Sequence, residues 1–193
     1  GKVGYQLANY ILEDGASIIV ADKSEDKIQY INELQKQYPF KIEIVNHNEI
    51  HKKEVDVYSP CAMGNDIRIS RISDMNCKVI CGAANNQLDI VDSAIAKQQL
   101  LDHKILYVPD TIANAGGVFR SAGVILKSRD EQESFKMITT IYDRTLNILD
   151  MASEHRISPA DVCTEIGQAI KGKPNRFKMK LDGLSGVKAG NNT

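Results

Sequence analysis

Two glycines and one acid open the chemistry of this chain. Gly1 and Gly4 stand at the head of a segment whose apolar residues recur at helical spacing, and Asp22 closes the next apolar run, Ser17 to Asp22. A glycine turn that starts a helix lets a pyrophosphate approach bare backbone, and the helix amides carry the partial positive charge that receives it. An acid about 20 residues further on, at the end of the following strand, is placed to take ribose hydroxyls and to repel a ribose phosphate. That favours NAD over NADP, although Lys23 next to Asp22 is a cation a phosphate could use. The Gly-x-x-Gly pair alone reads first as an ordinary turn, and the helix it opens and the spacing to Asp22 are what give it chemical content.

Three further segments follow apolar runs and carry small or amide side chains: Tyr58 to Gly64, Cys81 to Leu88 and Pro109 to Gly117. Ligands of open parallel sheets bind beyond the carboxyl ends of the strands, where such residues admit a cofactor close to the main chain. Two readings stay open. The first segment could be a plain strand-to-helix connection, and turn chemistry alone accounts for Asn85, Asn86 and Asn114 taken singly. His47 and His51, four apart, would share a helical face and could hold a metal. Glu49, however, comes two residues after His47 rather than directly after it as in zinc-protease helices. A solvated loop-helix junction without metal is expected. The cysteines at 61, 77, 81 and 163 form no Cys-x-x-Cys pair and read as reduced, small apolar residues.

The elements that must position these groups alternate. Helical periodicity covers Val3 to Leu12 and stops at Gly15. Apolar runs at 17–22, 40–45, 55–58, 78–81 and 105–108 read as strands, separated by helical stretches at 25–38, 65–73 and 90–101. Such alternation predicts an α/β fold with a parallel, doubly wound sheet and helices on both faces. Later residues, at 117–126, 131–154 and 159–170, are consecutive helices, the last capped by Ser158 with Pro159 in its first turn. They predict a helical cap over about 128–170. Residues 171–193, rich in Gly, Asn and Lys, predict a basic, disordered tail.

Composition excludes several classes. The 193 residues suit one large domain, and 42% hydrophobic against 25% charged residues is the balance of a globular protein. No apolar run approaches the roughly 20 residues that span a bilayer. A net charge of −1 gives no field for nucleic acid or an anionic membrane. The expectation is a cytoplasmic protein acting on a small molecule.

The order and spacing of Gly1-Lys-Val-Gly-Tyr5, Val20-Ala-Asp22, Pro60-Cys-Ala-Met-Gly64, Gly82-Ala-Ala-Asn-Asn-Gln-Leu88 and Pro109 to Val118 resemble the cofactor-domain motifs of leucine and phenylalanine dehydrogenases. These enzymes are a branch of the glutamate dehydrogenase superfamily. The resemblance runs over about residues 1 to 160. It implies a Rossmann-type domain over 1–170 and NAD-dependent oxidative deamination of an L-amino acid to its 2-oxo acid, in a homo-oligomer. It carries the pyrophosphate turn onto Gly1, Lys2, Val3, Gly4 and Tyr5, and the adenosine ribose onto Asp22. Cys61 and Ala62 would line the adenosine side, and Ala84, Asn85 and Asn114 the nicotinamide side. Asn86 would reach the substrate carboxylate, with Val118 and Ser121 lining the side-chain pocket. Asn85 stands where leucine dehydrogenases usually have Asp. Ser121 and Arg120 replace the apolar surface a branched side chain would want, so the resemblance does not extend to a preference for leucine.

By the same resemblance the catalytic Lys and Asp belong to an N-terminal domain outside these residues, and none here takes their roles. The chain opens without Met inside the glycine turn, so the sequence predicts a fragment preceded by an apolar strand ending in Gly-x. Without that strand, two neighbouring strands would keep unpaired backbone. A non-catalytic NAD-binding or regulatory module, or a dehydrogenase for a different 2-oxo acid, are the competing expectations.

Overall fold

A computed structural model describes residues 1–125 and 131–172, with the side chains of 122–125 and 131 outside the description. The order is α1 (Lys2–Glu13), β1 (Ile18–Val20), α2 (Glu25–Gln37), β2 (Ile42–Ile44), a 3-10 turn (Ile50–Lys52), β3 (Val55–Tyr58), α3 (Ile69–Ile72), β4 (Cys77–Ile80), α4 (Ser93–Asp102) and β5 (Leu106–Tyr107). Five helices follow: α5 (Asp110–Ala113), α6 (Gly116–Ile125), α7 (Glu131–Thr139), α8 (Ile141–His155) and α9 (Pro159–Ile170). All strand pairs are parallel. The α/β architecture expected from the alternation is the one observed. Among the described residues the strands form two sheets, β1-β2 and β3-β4-β5, so β1 and β3 each pair on one side.

Helices cover both faces of the larger sheet, and β4 shows why. Its alternating side chains divide: Ile80 enters a core with Ile67, Ile72, Ala96, Leu100 and Tyr107, while Val79 and Cys81 pack on a second core of Val108, Ile112, Ile148, Ala152 and Val162. Its later residues, Val79 to Cys81, are apolar at successive positions as a strand covered on both faces must be, while Lys78 near its start stays exposed. The smaller sheet packs Ile42 against Leu12 of α1 and Ile31 and Leu34 of α2. Gly15, at φ +89°, follows the α1 C-cap Asp14, and Ser158 caps α9 by accepting the Ala160 N–H at 3.3 Å.

Three expectations are corrected. The stretch 65–73 is helical only over Ile69–Ile72. Asn65 sits at φ +60°, and the N–H groups of 65, 66 and 67 donate sideways to the carbonyls of Asn86 and Gln87, so the chain there is tied to a neighbouring loop instead of coiling. The stretch 131–154 breaks at Thr140 into α7 and α8, where the hydroxyls of Thr139 and Thr140 bond back to the carbonyls of Lys136 and Met137. His51 does not lie in a solvated junction but is 6% exposed within the 3-10 turn. The segment 126–130 at the start of the expected cap lies outside the described residues, as does the expected tail from 173 onward.

Candidate functional site

At the opening turn, α1 begins directly after Gly1, with no side chain capping its first amides. Asp22, leaving β1, points at this end: its Oδ2 lies 3.1 Å from the Gly1 nitrogen, and its Oδ1 accepts the Ser24 N–H at 3.0 Å. Burial works against the charge on Asp22. The Ser24 and Lys23 amides work the other way, favouring the carboxylate. Ser24 stands at the N-cap position of α2, yet its side chain makes no cap bond. Lys2 and Val3 are exposed, while the Tyr5 ring turns away to stack edge-on against Tyr30, 6.4 Å between centroids. Tyr5 therefore offers the turn its main chain alone.

Gly4 joins this turn to the exit of β3, since a Cβ there would stand 3.1 Å from the Cβ of Cys61. Ala62 is exposed on the same loop, and the Cys61 thiol lies 3.6 Å from the Ser59 hydroxyl. Glycines again allow the next approach. A Cβ on Gly82 would fall 2.3 Å from the Pro60 carbonyl oxygen, and one on Gly64 would fall 2.5 Å from that of Asn85. The loops leaving β3 and β4 thus meet backbone to backbone, joined by Ala84 N–H to the Pro60 carbonyl at 2.9 Å and Asn65 N–H to the Asn86 carbonyl at 2.7 Å. Asn65 and Asn86 both hold left-handed backbone, φ +60° and +52°. That conformation costs about 1–2 kcal/mol per residue, and Asn tolerates it better than other L-residues.

The structure brings Asn85 and Asn114 together: Asn114 Nδ2 donates to Asn85 Oδ1 at 2.7 Å and to the Ala84 carbonyl at 3.2 Å. Ala84 is buried, with both main-chain groups engaged within the protein. Asn86 is exposed, two residues from Ala84. Val118 and Ser121 are exposed on α6, which begins two residues past Asn114. Among the described residues, no group of three or more His, Cys, Asp or Glu is placed to hold a metal ion.

Two residues at the site escaped the sequence reading. Gln87 is fully buried and donates to the carbonyls of Gly82 and Ala84, both at 2.8 Å, which fixes the loop leaving β4. Asp110 accepts the Asn86 N–H at 2.5 Å and the Thr111 N–H at 3.0 Å. An acid in the first turn of a helix after Pro reads as a start signal. Its partner 24 residues earlier is invisible until the strands are placed side by side.

Residues 10–157 match the family model described as Glutamate/Leucine/Phenylalanine/Valine dehydrogenase. The chain belongs to this dehydrogenase family. It is 34% identical to a valine dehydrogenase of Streptomyces virginiae over 87% of this chain and 45% of that protein. It is 33% identical to a phenylalanine dehydrogenase of Bacillus thermotolerans over 92% of this chain and 46% of that protein. The crystal structure of L-tryptophan dehydrogenase from Nostoc punctiforme superposes with a TM-score of 0.78 at 30% identity, over 88% of this chain and 49% of that one. This family member thus spans about half the length of the relatives it matches. No described helix is long and apolar enough to cross a membrane.

Proposed function

We propose that residues 1–170 are the NAD-binding domain of an L-amino-acid dehydrogenase that oxidises its substrate to the 2-oxo acid and ammonia. One observation carries the reading: the Asp22 carboxylate, at the exit of β1, lies beside the uncapped start of α1. A dinucleotide needs that pair, amides for its phosphates and an acceptor for its ribose. The main chain of Gly1 to Tyr5 would hold the pyrophosphate, with Asp22 on the adenosine ribose and Cys61 and Ala62 beside it. Ala84, Asn85 and Asn114 would flank the nicotinamide. Asn86, Val118 and Ser121 would face the substrate. NAD supplies the hydride acceptor when bound, and these residues orient it and exclude water.

The separation of β1 from β3 supports a further strand between them, giving the order 2-1-x-3-4-5 of a doubly wound sheet whose crevice opens at the switch point. The Lys and Asp that handle protons would come from a second domain, in an assembly of several copies. Titration of the intact enzyme with NAD and NADP, beside Asp22→Ala, tests the assignment. NAD is expected to bind more tightly, with Asp22→Ala erasing the difference. Equal affinity in the unmutated enzyme would overturn it, and absence of NADH formation with every amino acid would remove the dehydrogenase reading.

A further inference from the structure

We propose that Asp110 is a positioning residue for the nicotinamide side of the site: from the first turn of α5 it fixes the Asn85–Asn86 loop without touching cofactor or substrate. This rests on the reading of the site given above.

The geometry is specific. Asp110 Oδ2 takes the Asn86 N–H at 2.5 Å, and Oδ1 takes the Thr111 N–H at 3.0 Å with the Tyr107 hydroxyl 3.5 Å away. Tyr107 is 3% exposed, so the carboxylate rests on a packed floor. Burial and the nearby Asp110 charge push the phenol up, which keeps it protonated and able to donate. On the far side, the Asn86 carbonyl is held by the Asn65 N–H, and the loop behind it by Gln87. Asn86 is therefore gripped at both main-chain groups in a left-handed conformation that would otherwise relax. Asn85 lies one residue earlier, already bonded to Asn114, so the orientation of that amide pair follows the Asn86 fastening.

Chemistry selects Asp at this position. An ionised carboxylate only accepts, so both oxygens suit the N–H groups of Asn86 and Thr111. Asparagine turns one acceptor into a donor and loses one of the two bonds, and alanine loses both. The effect must be graded, and it must fall on the nicotinamide half, because the adenosine half is built on α1, β1 and the β3 exit.

The test compares the intact enzyme with Asp110→Asn and Asp110→Ala by binding of ADP-ribose and of NADH. It also measures turnover, with the deuterium effect from the amino acid oxidised fastest, labelled at Cα. The expected result is unchanged ADP-ribose binding, weaker NADH binding, and turnover down about ten-fold for Asn and about hundred-fold for Ala, since displacement of about 1 Å costs that much. The isotope effect rises as hydride transfer becomes limiting, a change that loss of stability alone would not produce. Wild-type turnover and isotope effect in both variants would overturn the proposal, as would parallel loss of ADP-ribose and NADH binding. Should Asp110→Ala fail to fold, Asp110→Asn decides by the same criteria. Failure of the unmutated enzyme to bind either nucleotide sinks the site reading itself, a result distinct from unaffected variants of a binding enzyme.

Discussion

A Cβ placed on Gly82 would lie 2.3 Å from the carbonyl oxygen of Pro60, closer than any side chain tolerates against fixed backbone. The loops leaving β3 and β4 are therefore in contact through main chain, and the contact exists because residue 82 lacks a side chain. Gly82→Ala must separate the exits of β3 and β4. It should destabilise the protein by at least the roughly 1–3 kcal/mol of ordinary overpacking. Gly167→Ala is the control: nothing lies within 4 Å of its Cβ position on α9, and a helical Gly→Ala change gains about 0.5–1 kcal/mol. Thermal or urea unfolding of both variants should show opposite signs, and equal signs would mean that the loop contact is not rigid.

Much of this arrangement was legible in the sequence. The run 17–22 read as a parallel strand because continuous apolar residues have few other uses, the stretches around Val57, Val79 and Leu106 read as strands beside it, and all four lie in strands. Gly15 and Ser158 were readable because a helix end leaves main-chain groups that few residue types satisfy. What escaped was set by partners distant in sequence. Residues 65–67 carry a helical pattern and lose it because their N–H groups donate to the carbonyls of Asn86 and Gln87. Asp110 and Gln87 are polar residues in loops until the fold places carbonyls and amides around them. The split of the sheet between β1 and β3 likewise concerns pairing, about which local pattern is silent.

His51 gives the fold an acid-side limit. Burial first, then the cations of Arg71 and Lys52, hold its imidazole below the usual histidine range, against weaker opposition from Asp74 and Asp66. Its Nδ1 is buried and finds no hydrogen-bond partner among the described residues. The folded state thus prefers neutral His51 while the unfolded chain takes a proton near pH 6.5. The contribution is full above that pH and is lost as pH falls from about 6.5 through the lowered folded value, with a slope of at most about 1.4 kcal/mol per pH unit. Melting temperature against pH should fall less steeply on the acid side for His51→Gln than for the unmutated protein. Parallel curves would show that His51 does not contribute.

Two lysine pairs separate burial from mere proximity. Lys97 on α4 reaches Asp161 on α9 with its side chain 20% exposed, whereas Lys78 and Asp56 pair across β4 and β3 at 80% and 82% exposure. Solvent screens the second pair almost fully, and its loss in Lys78→Met should leave the melting temperature unchanged. Lys97→Met breaks a link between two helices and should lower it, by an amount that shrinks in high salt. A salt-independent loss would point to packing of the lysine stem instead.

Ile80 tests the two-faced strand directly. Its side chain has no exposed surface, and it packs with Ile72, Leu100 and Tyr107 on one face of β4 while Val79 serves the other. Truncation to Ala leaves a hole that neighbours on a strand paired at both edges cannot close by moving, so the cost should reach about 2–5 kcal/mol. Ile80→Val removes one methylene and should cost about 0.5–1.5 kcal/mol. Val57 is 50% exposed on the adjacent strand, and Val57→Ala should stay within about 0.5 kcal/mol, as surface changes do. Denaturant midpoints for the three variants at constant slope measure the series. If Ile80→Ala costs no more than Val57→Ala, the inner face of β4 is solvated and the layered core described for this domain is wrong.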